Sequence, residues 1–222
     1  MNNSKNLFAS IVSDNPKNIF DNLVSYEEFR IAGIHFDVMD GSFVPRLGLY
    51  PELLSEIKSN STKFIEVHMM VQKPSMFIHQ FVDCGADRII IHMETEEKIA
   101  DLISQINELG VQCGLALNPQ TEIESLNPYI QDIDAIMLMA INPGIPKHSF
   151  IPEIENKLID LKGVVEREGL NLEIIIDGGV IFENVETLFK SGANTLICGS
   201  GTLFNPKHSI KENLRKLSDL LN

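Results

Sequence analysis

The sequence predicts a (β/α)8 barrel, formed as a single domain over residues 1–222, and three observations support this fold class. Eight short apolar runs alternate with segments of helical spacing, and no linker rich in proline or serine separates them. The runs are mostly rich in Ile, Val and Leu, as are parallel strands that are buried on both faces. Cys84-Gly85-Ala86-Asp87 echoes Ser191-Gly192-Ala193-Asn194, which fits repeated units. Eight such units fit a barrel, although 222 residues is below its usual size of ~250.

The pattern of apolar residues gives each element in turn. The expected strands are Leu7–Val12, Gly33–Met39, Phe64–Met70, Arg88–His92, Val111–Leu117, Ala135–Ala140, Leu172–Asp177 and Thr195–Cys198. The first helix is the clearest, because Asn15 can cap it and Pro16 suits its first position. Its apolar face is expected to contain Ile19, Phe20, Leu23, Tyr26 and Phe29. Further helical segments are expected from Ser75, Glu97, Glu122, Pro152, Phe182 and Lys207.

A doubly wound open sheet is the structural alternative. It needs fewer strands and usually carries a glycine-rich turn after the first strand. Ala9-Ser10-Ile11-Val12-Ser13 has no glycine, so the barrel is favoured. Active residues of a barrel lie at the carboxyl ends of its strands. The polar residues at those ends are Ser10, His35, Asp37, His68, His92, Asn118, Asp177, Gly199 and Ser200.

Composition excludes several classes of function. The formal charge of −13 leaves no basic face for a nucleic acid duplex. Three cysteines without CxxC spacing argue against a disulfide framework and for a reducing compartment. The N-terminus has no signal-peptide pattern, and no apolar run approaches the length of a membrane span. We therefore expect a cytoplasmic protein with neither nucleic acid nor membrane as a partner.

Three strand ends carry a set of side chains that an apolar core does not need. In a strand, side chains alternate between two faces, so His35 and Asp37 share one face of the second strand. His68 and Asp177 end two later strands. Around a barrel mouth, these four side chains can converge on one divalent ion as two nitrogen and two oxygen ligands. The ion can be Zn, Fe, Mn or Co, since all four accept such ligands.

Such a site suits proton transfer next to a carbonyl group. A divalent ion that bridges a ketone oxygen and a neighbouring hydroxyl lowers the energy of an enediolate. One aspartate, Asp37 or Asp177, can remove a carbon-bound proton while the other delivers one to the opposite face. This inverts a stereocentre without redox chemistry, so no nicotinamide fingerprint is needed.

Methionines and glycines complete the predicted site. Met39, Met70 and Met139 lie at the same strand ends, where they can form a polarisable lining that holds no proton. Asp177-Gly178-Gly179 and Gly199-Ser200-Gly201 follow the seventh and eighth strands. That corner of a barrel often binds phosphate through backbone N–H groups.

Several motifs between Ser10 and Phe204 together resemble the ribulose-phosphate 3-epimerase family. They are His35-Phe36-Asp37-Val38-Met39-Asp40-Gly41-Ser42-Phe43-Val44-Pro45, Val67-His68-Met69-Met70-Val71 with Lys73-Pro74, Leu115-Ala116-Leu117-Asn118-Pro119, Asn142-Pro143-Gly144 and Asp177-Gly178-Gly179. The resemblance implies a ribulose-phosphate-binding barrel that interconverts D-ribulose 5-phosphate and D-xylulose 5-phosphate. The family also includes enzymes that act on allulose 6-phosphate.

The resemblance also implies a role for each matching residue. His35, Asp37, His68 and Asp177 match the metal ligands, and Asp37 and Asp177 match the acid/base pair. The matching substrate and phosphate contacts are Ser10, His68, Gly144, Gly178, Gly179, Gly199 and Ser200. Met39, Met70 and Met139 match the methionine lining. His92 matches a family position to which no catalytic step is assigned.

The chain departs from the family in its substrate loop. After Gly144 the family usually continues Phe-Gly-Gly-Gln, whereas this chain has Ile145-Pro146-Lys147-His148. Pro146 has no N–H to donate, and Lys147 can supply an ammonium group instead. Pro45-Arg46-Leu47-Gly48 and Ala140 also differ from common family residues. An intact acid/base pair with an altered loop predicts an active epimerase with a shifted substrate preference.

Three other functions stay open. One is a 3-epimerase for D-allulose 6-phosphate or another ketose phosphate. A second is a sugar-phosphate lyase or decarboxylase, which ranks low because Met39 stands where such enzymes have lysine. The third is a non-catalytic sugar-phosphate-binding protein. A homo-oligomer is expected, because barrel enzymes often associate.

Overall fold

The structure is a computed structural model that describes residues 5–145 and 149–221. Within these residues, eight parallel strands form a closed barrel in which each strand pairs with the next in chain order and β8 pairs with β1. The strands are β1 (Asn6–Ser10), β2 (Gly33–Met39), β3 (Phe64–Met70), β4 (Arg88–His92), β5 (Gln112–Leu117), β6 (Ala135–Met139), β7 (Glu173–Asp177) and β8 (Thr195–Cys198). The predicted (β/α)8 fold class is confirmed.

Helices surround the barrel. In the described part of the chain they are α1 (Ile19–Glu28), α2 (Pro51–Asn60), α3 (Ile78–Asp83), α4 (Ile99–Glu108), α5 (Glu153–Arg167), α6 (Val185–Ser191) and α7 (Ile210–Leu220). Short 3-10 turns cover Ile11–Ser13, Pro74–Met76 and Ile123–Leu126. No helix among the described residues combines the length and apolar character needed to cross a membrane.

Local sequence signals explain several helix ends. Ser209 and Glu212 form a capping box at the start of α7. The Ser209 hydroxyl accepts from the Glu212 backbone N–H, and the Glu212 carboxylate accepts from the Ser209 backbone N–H. Gly192 follows α6 with a φ of 126°, a conformation that side chains disfavour. The capping box fixes the residue at which α7 begins, and Gly192 ends α6 where the chain turns back toward β8.

The segments between β1 and β2 and between β2 and β3 differ from the sequence-based expectations. α1 begins at Ile19 and not at Pro16, because the Asn15 side chain accepts from the Lys17 N–H and holds a turn there. Phe20 is 44% exposed, so it does not belong to the buried face. The helix α2 was not among the expected segments, since its apolar face is short.

The helix expected from Glu122 is also wrong. Only the 3-10 turn Ile123–Leu126 forms between β5 and β6. Pro128 follows closely, and a proline inside a helix lacks a backbone donor and clashes with the carbonyl four residues before it. Leu126 is nevertheless fully buried, so the turn still covers this side of the barrel.

Two apolar layers hold the barrel. Inside it, Phe8, Ile90, Met137, Ile175 and Ile197 belong to a compact cluster. Outside it, a larger cluster of buried Ile, Leu and Val side chains joins the strands to the helices. A packed interior of this kind leaves the strand ends as the place where a site can form.

Candidate active site

A cavity of about 510 Å³ opens at the carboxyl ends of the strands. Most residues that the sequence singled out lie on its wall: Ser10, Asp37, Met39, Met70, Met139, Gly144, Asp177, Gly178, Gly179, Gly199 and Ser200. His35 and His68 are fully buried directly behind Asp37 and Asp177. The structure thus brings the predicted residues together from β1, β2, β3, β6, β7 and β8.

Four side chains at the bottom of this cavity form one cluster. His35, Asp37, His68 and Asp177 each offer a ligand atom, and these atoms all lie within 4.8 Å of one another. His35 Nε2 is 3.2 Å from Asp37 Oδ1 and 3.8 Å from Asp177 Oδ2. His68 Nδ1 is 3.6 Å and 3.5 Å from the same two oxygens. The strand register explains the cluster, because Asp37 of β2 pairs with His68 of β3.

The donor atoms of the cluster fit a divalent metal ion. His35 Nε2 and His68 Nδ1 are buried and have no hydrogen-bond partner among the described residues. Buried polar atoms are rarely left unpaired, and an ion between these nitrogens and the two carboxylates would satisfy both. Two imidazoles with two carboxylates form a donor set suited to Zn, Fe, Mn or Co.

The two aspartates have opposite pKa shifts. Burial acts to raise the pKa of Asp37, but His35 and His68 outweigh burial and lower it below its ordinary value. Burial raises the pKa of Asp177, and the neighbouring Asp37 charge raises it further. The two carboxyls of the cluster therefore differ in their affinity for a proton, as the members of an acid/base pair do.

A network of charges continues below the cluster, inside the barrel. His35 Nδ1 lies 2.8 Å from Glu66 Oε1, and Arg88 Nη1 donates to Glu66 Oε2 at 2.8 Å. Arg88 also contacts Glu173 and donates to Gln112. Burial acts to raise the pKa of Glu66, but His35 and Arg88 outweigh it and lower the pKa. Glu66 is therefore an ionised carboxylate with no exposed surface.

The structure gives His92 a position that the sequence left open. His92 Nε2 is 2.8 Å from His68 Nε2, and its Nδ1 is 3.0 Å from Glu94 Oε2. Burial lowers the pKa of His92 to about 4, so the ring is neutral near neutral pH. His92 therefore lies behind a metal-ligand candidate and does not face the cavity. The predicted mouth residue Asn118 donates its backbone N–H to Glu94.

The glycine-rich corner after β7 and β8 lies on the cavity wall. Gly178 and Gly179 have φ values of 92° and 65°, which side chains rarely adopt. A Cβ atom on Gly179 would lie 2.6 Å from Phe150 Cα, so the corner has room only for glycine. Ser10 donates its hydroxyl to Asp37 Oδ2 at 3.1 Å from the neighbouring strand.

Sequence reasoning missed several residues of the site. Glu66 precedes His68 by two positions in β3, so the alternation of strand side chains could have placed it on the same inward face. Arg88 likewise begins a strand and is 4% exposed. Arg46 lines the cavity, where it is the one cationic side chain among the described lining residues.

Of the altered loop, Ile145 lines the cavity, whereas Pro146, Lys147 and His148 lie outside the described residues.

The fold and the site together define a (β/α)8-barrel protein with a histidine and aspartate cluster that can hold a metal ion at the mouth of the barrel. Residues 6–203 match the Ribulose-phosphate 3 epimerase family. The chain belongs to this family and is an isomerase of the epimerase type.

Two relatives show how far the similarity extends. Ribulose-phosphate 3-epimerase of Buchnera aphidicola subsp. Schizaphis graminum is 40% identical over 169 residues, which cover 76% of this chain and 74% of that protein. Ribulose-phosphate 3-epimerase of Synechocystis sp. is 32% identical over 210 residues, which cover 93% and 91%. The family match over residues 6–203 includes all the strand ends that carry the cluster.

A solved structure supports the fold alone. A mutant tryptophan synthase alpha-subunit from Pyrococcus furiosus has a TM-score of 0.71 and 16% identity, covering 99% of this chain and 98% of that chain. At this identity, the likeness extends to the barrel and not to its chemistry.

Proposed function

We propose that this chain is a metal-dependent ketose-phosphate 3-epimerase that interconverts D-ribulose 5-phosphate and D-xylulose 5-phosphate. The observation that carries the proposal is the approach of Asp37 and Asp177, whose oxygens belong to a cluster within 4.8 Å at the cavity floor. Their pKa values shift in opposite directions, so the two carboxyls differ in their affinity for a proton, which supports different roles in proton transfer. The relatives named above support the substrate.

The chain's own residues divide the proton transfer between them. Asp37, the ionised carboxylate, accepts the proton from C3 on one face of the substrate. Asp177, whose pKa is raised, donates a proton to C3 on the opposite face, so the stereocentre is inverted. The reverse reaction, or exchange with water, returns both carboxyls to their starting states. Ser10 positions Asp37 through its hydrogen bond.

His35, Asp37, His68 and Asp177 would hold the divalent ion. When bound, such an ion supplies positive charge that stabilises the substrate oxygens as C3 loses its proton. Met39, Met70 and Met139 are nearly fully buried around the cavity and add no competing acid or base. Backbone N–H groups of Gly178, Gly179, Gly199 and Ser200 would bind the phosphate.

The decisive experiment combines proton exchange with two single substitutions. Ketose phosphates of four, five and six carbons are incubated in D2O with the zinc-loaded enzyme, and deuterium at C3 is followed by NMR. We expect exchange and epimerisation with the five-carbon substrates. Preference for the six-carbon substrate would favour allulose 6-phosphate instead, and binding without exchange would favour a non-catalytic protein.

The substitutions test the two-base assignment. Asp37→Asn and Asp177→Asn each keep the side-chain shape and remove one acid/base group, which is also a proposed metal ligand. With zinc bound to the variant, kcat is expected to fall about 10²–10⁴-fold. Asp101→Asn on the exposed side of α4 is the matched control and should retain full activity. Circular dichroism and zinc content establish that each variant folds and binds metal. A variant of either site aspartate with more than about a tenth of normal kcat would contradict the assignment.

The homo-oligomer, the single-domain organisation over residues 1–222 and the cytoplasmic location stay predictions from the sequence.

A further inference from the structure

The two histidines of the cluster present opposite ring positions to the proposed metal. The unpartnered atom of His35 is Nε2, whereas that of His68 is Nδ1. A neutral imidazole has one N–H and one lone pair, and only the lone pair can bind a metal ion. Metal binding therefore requires His35 to carry its proton on Nδ1 and His68 to carry its proton on Nε2. Something in the structure must select these different tautomers.

Glu66 selects the tautomer of His35. Its Oε1 lies 2.8 Å from His35 Nδ1, and an ionised carboxylate can only accept a hydrogen bond. Arg88 occupies the second oxygen of Glu66 at 2.8 Å and compensates its charge. With a metal ion bound, the one remaining His35 proton is therefore held on Nδ1, and Nε2 is the ring atom that faces Asp37.

Glu94 selects the tautomer of His68 through an intervening ring. Glu94 Oε2 lies 3.0 Å from His92 Nδ1, so His92 carries its proton on that atom. The lone pair of His92 Nε2 then faces His68 Nε2 at 2.8 Å and accepts a hydrogen bond from it. His68 Nδ1 is left with its lone pair directed at Asp37 and Asp177.

The structure fixes Glu94 as firmly as it fixes Glu66. Glu94 Oε1 accepts from the Asn118 backbone N–H at 2.9 Å and from the Thr121 hydroxyl. Lys157 of α5 donates to the carbonyl oxygens of Asn118 and Pro119 in the same loop. Helix α5 thus supports the loop that supports Glu94.

We propose that Glu66 and Glu94 are positioning residues that impose opposite tautomers on the two metal-binding histidines, Glu66 directly and Glu94 through His92. The inference rests on the proposed metal site. The two carboxylates approach the cluster from β3 and from the loop after β4, and their hydrogen-bond partners named above are different residues. They form two separate supports for one ion.

Glutamine substitutions give a sharp test, because each should reverse a tautomer. In Glu66→Gln, the single amide oxygen must face Arg88, which can only donate. The amide N–H₂ group then faces His35 Nδ1 and needs a lone pair on that nitrogen to accept its hydrogen bond. The His35 ring proton therefore moves to Nε2, the atom that would bind the metal. In Glu94→Gln, the amide oxygen stays with the Asn118 N–H, so the amide N–H₂ faces His92 Nδ1 and requires its lone pair. The His92 proton then lies on Nε2 and is donated to His68 Nε2, which puts the His68 proton on Nδ1.

Zinc affinity, measured by competition with a chelator, is the main readout. We expect each substitution to weaken zinc binding about 10–100-fold. Glu97→Gln is the matched control, since Glu97 accepts from the Ser75 N–H and hydroxyl in the same region but does not contact a histidine. Its zinc affinity should stay within about twofold of that of the wild type. The Glu94 side chain is 24% exposed, so its variant is expected to fold even if Glu66→Gln does not.

Nitrogen-15 NMR of the zinc-loaded wild type reads the tautomers directly. We expect the remaining ring proton on Nδ1 of His35 and on Nε2 of His68. Unchanged zinc affinity in the folded Glu94→Gln variant, or a His68 proton on Nδ1, overturns the proposal. The C3 exchange assay separates this failure from a failure of the proposed function. If the wild type exchanges the C3 proton and Glu94→Gln keeps its zinc affinity, the epimerase function is supported and only the tautomer assignment is wrong.

Discussion

Replacing Arg88 with methionine tests how the barrel tolerates charge in its interior. Arg88 is 4% exposed and forms ion pairs with Glu66 and Glu173. It also donates to Gln112, and its guanidinium lies 5.0 Å from the centre of the Phe64 ring. Methionine keeps much of the apolar stem but removes the charge. Glu66, which is fully buried, would then lose its arginine partner.

The expected loss follows from the burial of this pair. Removal of one partner of a buried ion pair typically lowers the free energy of unfolding by about 3–5 kcal/mol, because the other charge is left uncompensated. This is a large share of the roughly 5–15 kcal/mol that stabilises a typical domain. Urea denaturation followed by circular dichroism measures the change. The double variant Arg88→Met/Glu66→Gln should recover at least about 1 kcal/mol, since it removes the orphaned charge.

A surface ion pair provides the matched control. Lys58 Nζ lies 2.6 Å from Asp87 Oδ2, but both side chains are about one-third exposed. Lys58→Met should therefore change the free energy of unfolding by only about 0–1 kcal/mol. The buried-charge reasoning is refuted if Arg88→Met lowers the free energy of unfolding no more than Lys58→Met does. It is also refuted if the double variant is no more stable than Arg88→Met.

Three further outcomes are expected. Gly179→Ala should raise KM at least about tenfold, because its Cβ would meet Phe150 Cα, whereas Gly110→Ala with open space should leave kinetics unchanged. Zinc at about 100 times its Kd should stabilise the protein by about 2.7 kcal/mol, and a Tm unaffected by chelator would argue against the site. Burial opposes ionisation of Asp40, but N–H donors led by that of Gln72 lower its pKa below the ordinary value. Its stabilising contribution is therefore present above the ordinary pKa and lost as pH falls through the folded pKa, so the stability difference between wild type and Asp40→Asn should narrow in acid.

The sequence located the metal-site candidates because strand geometry is local. His35 and Asp37 are two positions apart on one strand, and such residues share a face whatever the rest of the fold does. Carboxyl-end placement then follows from the barrel itself. Which pairs of strands lie next to each other was also predictable, since a closed parallel barrel keeps chain order.

Contacts that depend on side-chain reach were not predictable in the same way. Glu94 bonds His92 and the loop after β5 at once, and no spacing in the sequence encodes a contact between two separate loops. The helix expected from Glu122 failed for a related reason. Its apolar spacing is compatible with a helix, but Pro128 limits the segment to a 3-10 turn, and burial of Leu126 makes that turn sufficient.

The order of the strands that carry the proposed metal ligands has a consequence for synthesis. His35, Asp37 and His68 emerge early from the ribosome, whereas Asp177 lies more than a hundred positions later, on β7. A nascent chain can therefore assemble three of the four donors long before the ring of strands is complete. Binding of the proposed ion by the full set would have to wait for β7, so tight ion retention would show that a newly made chain has folded at least as far as its seventh strand.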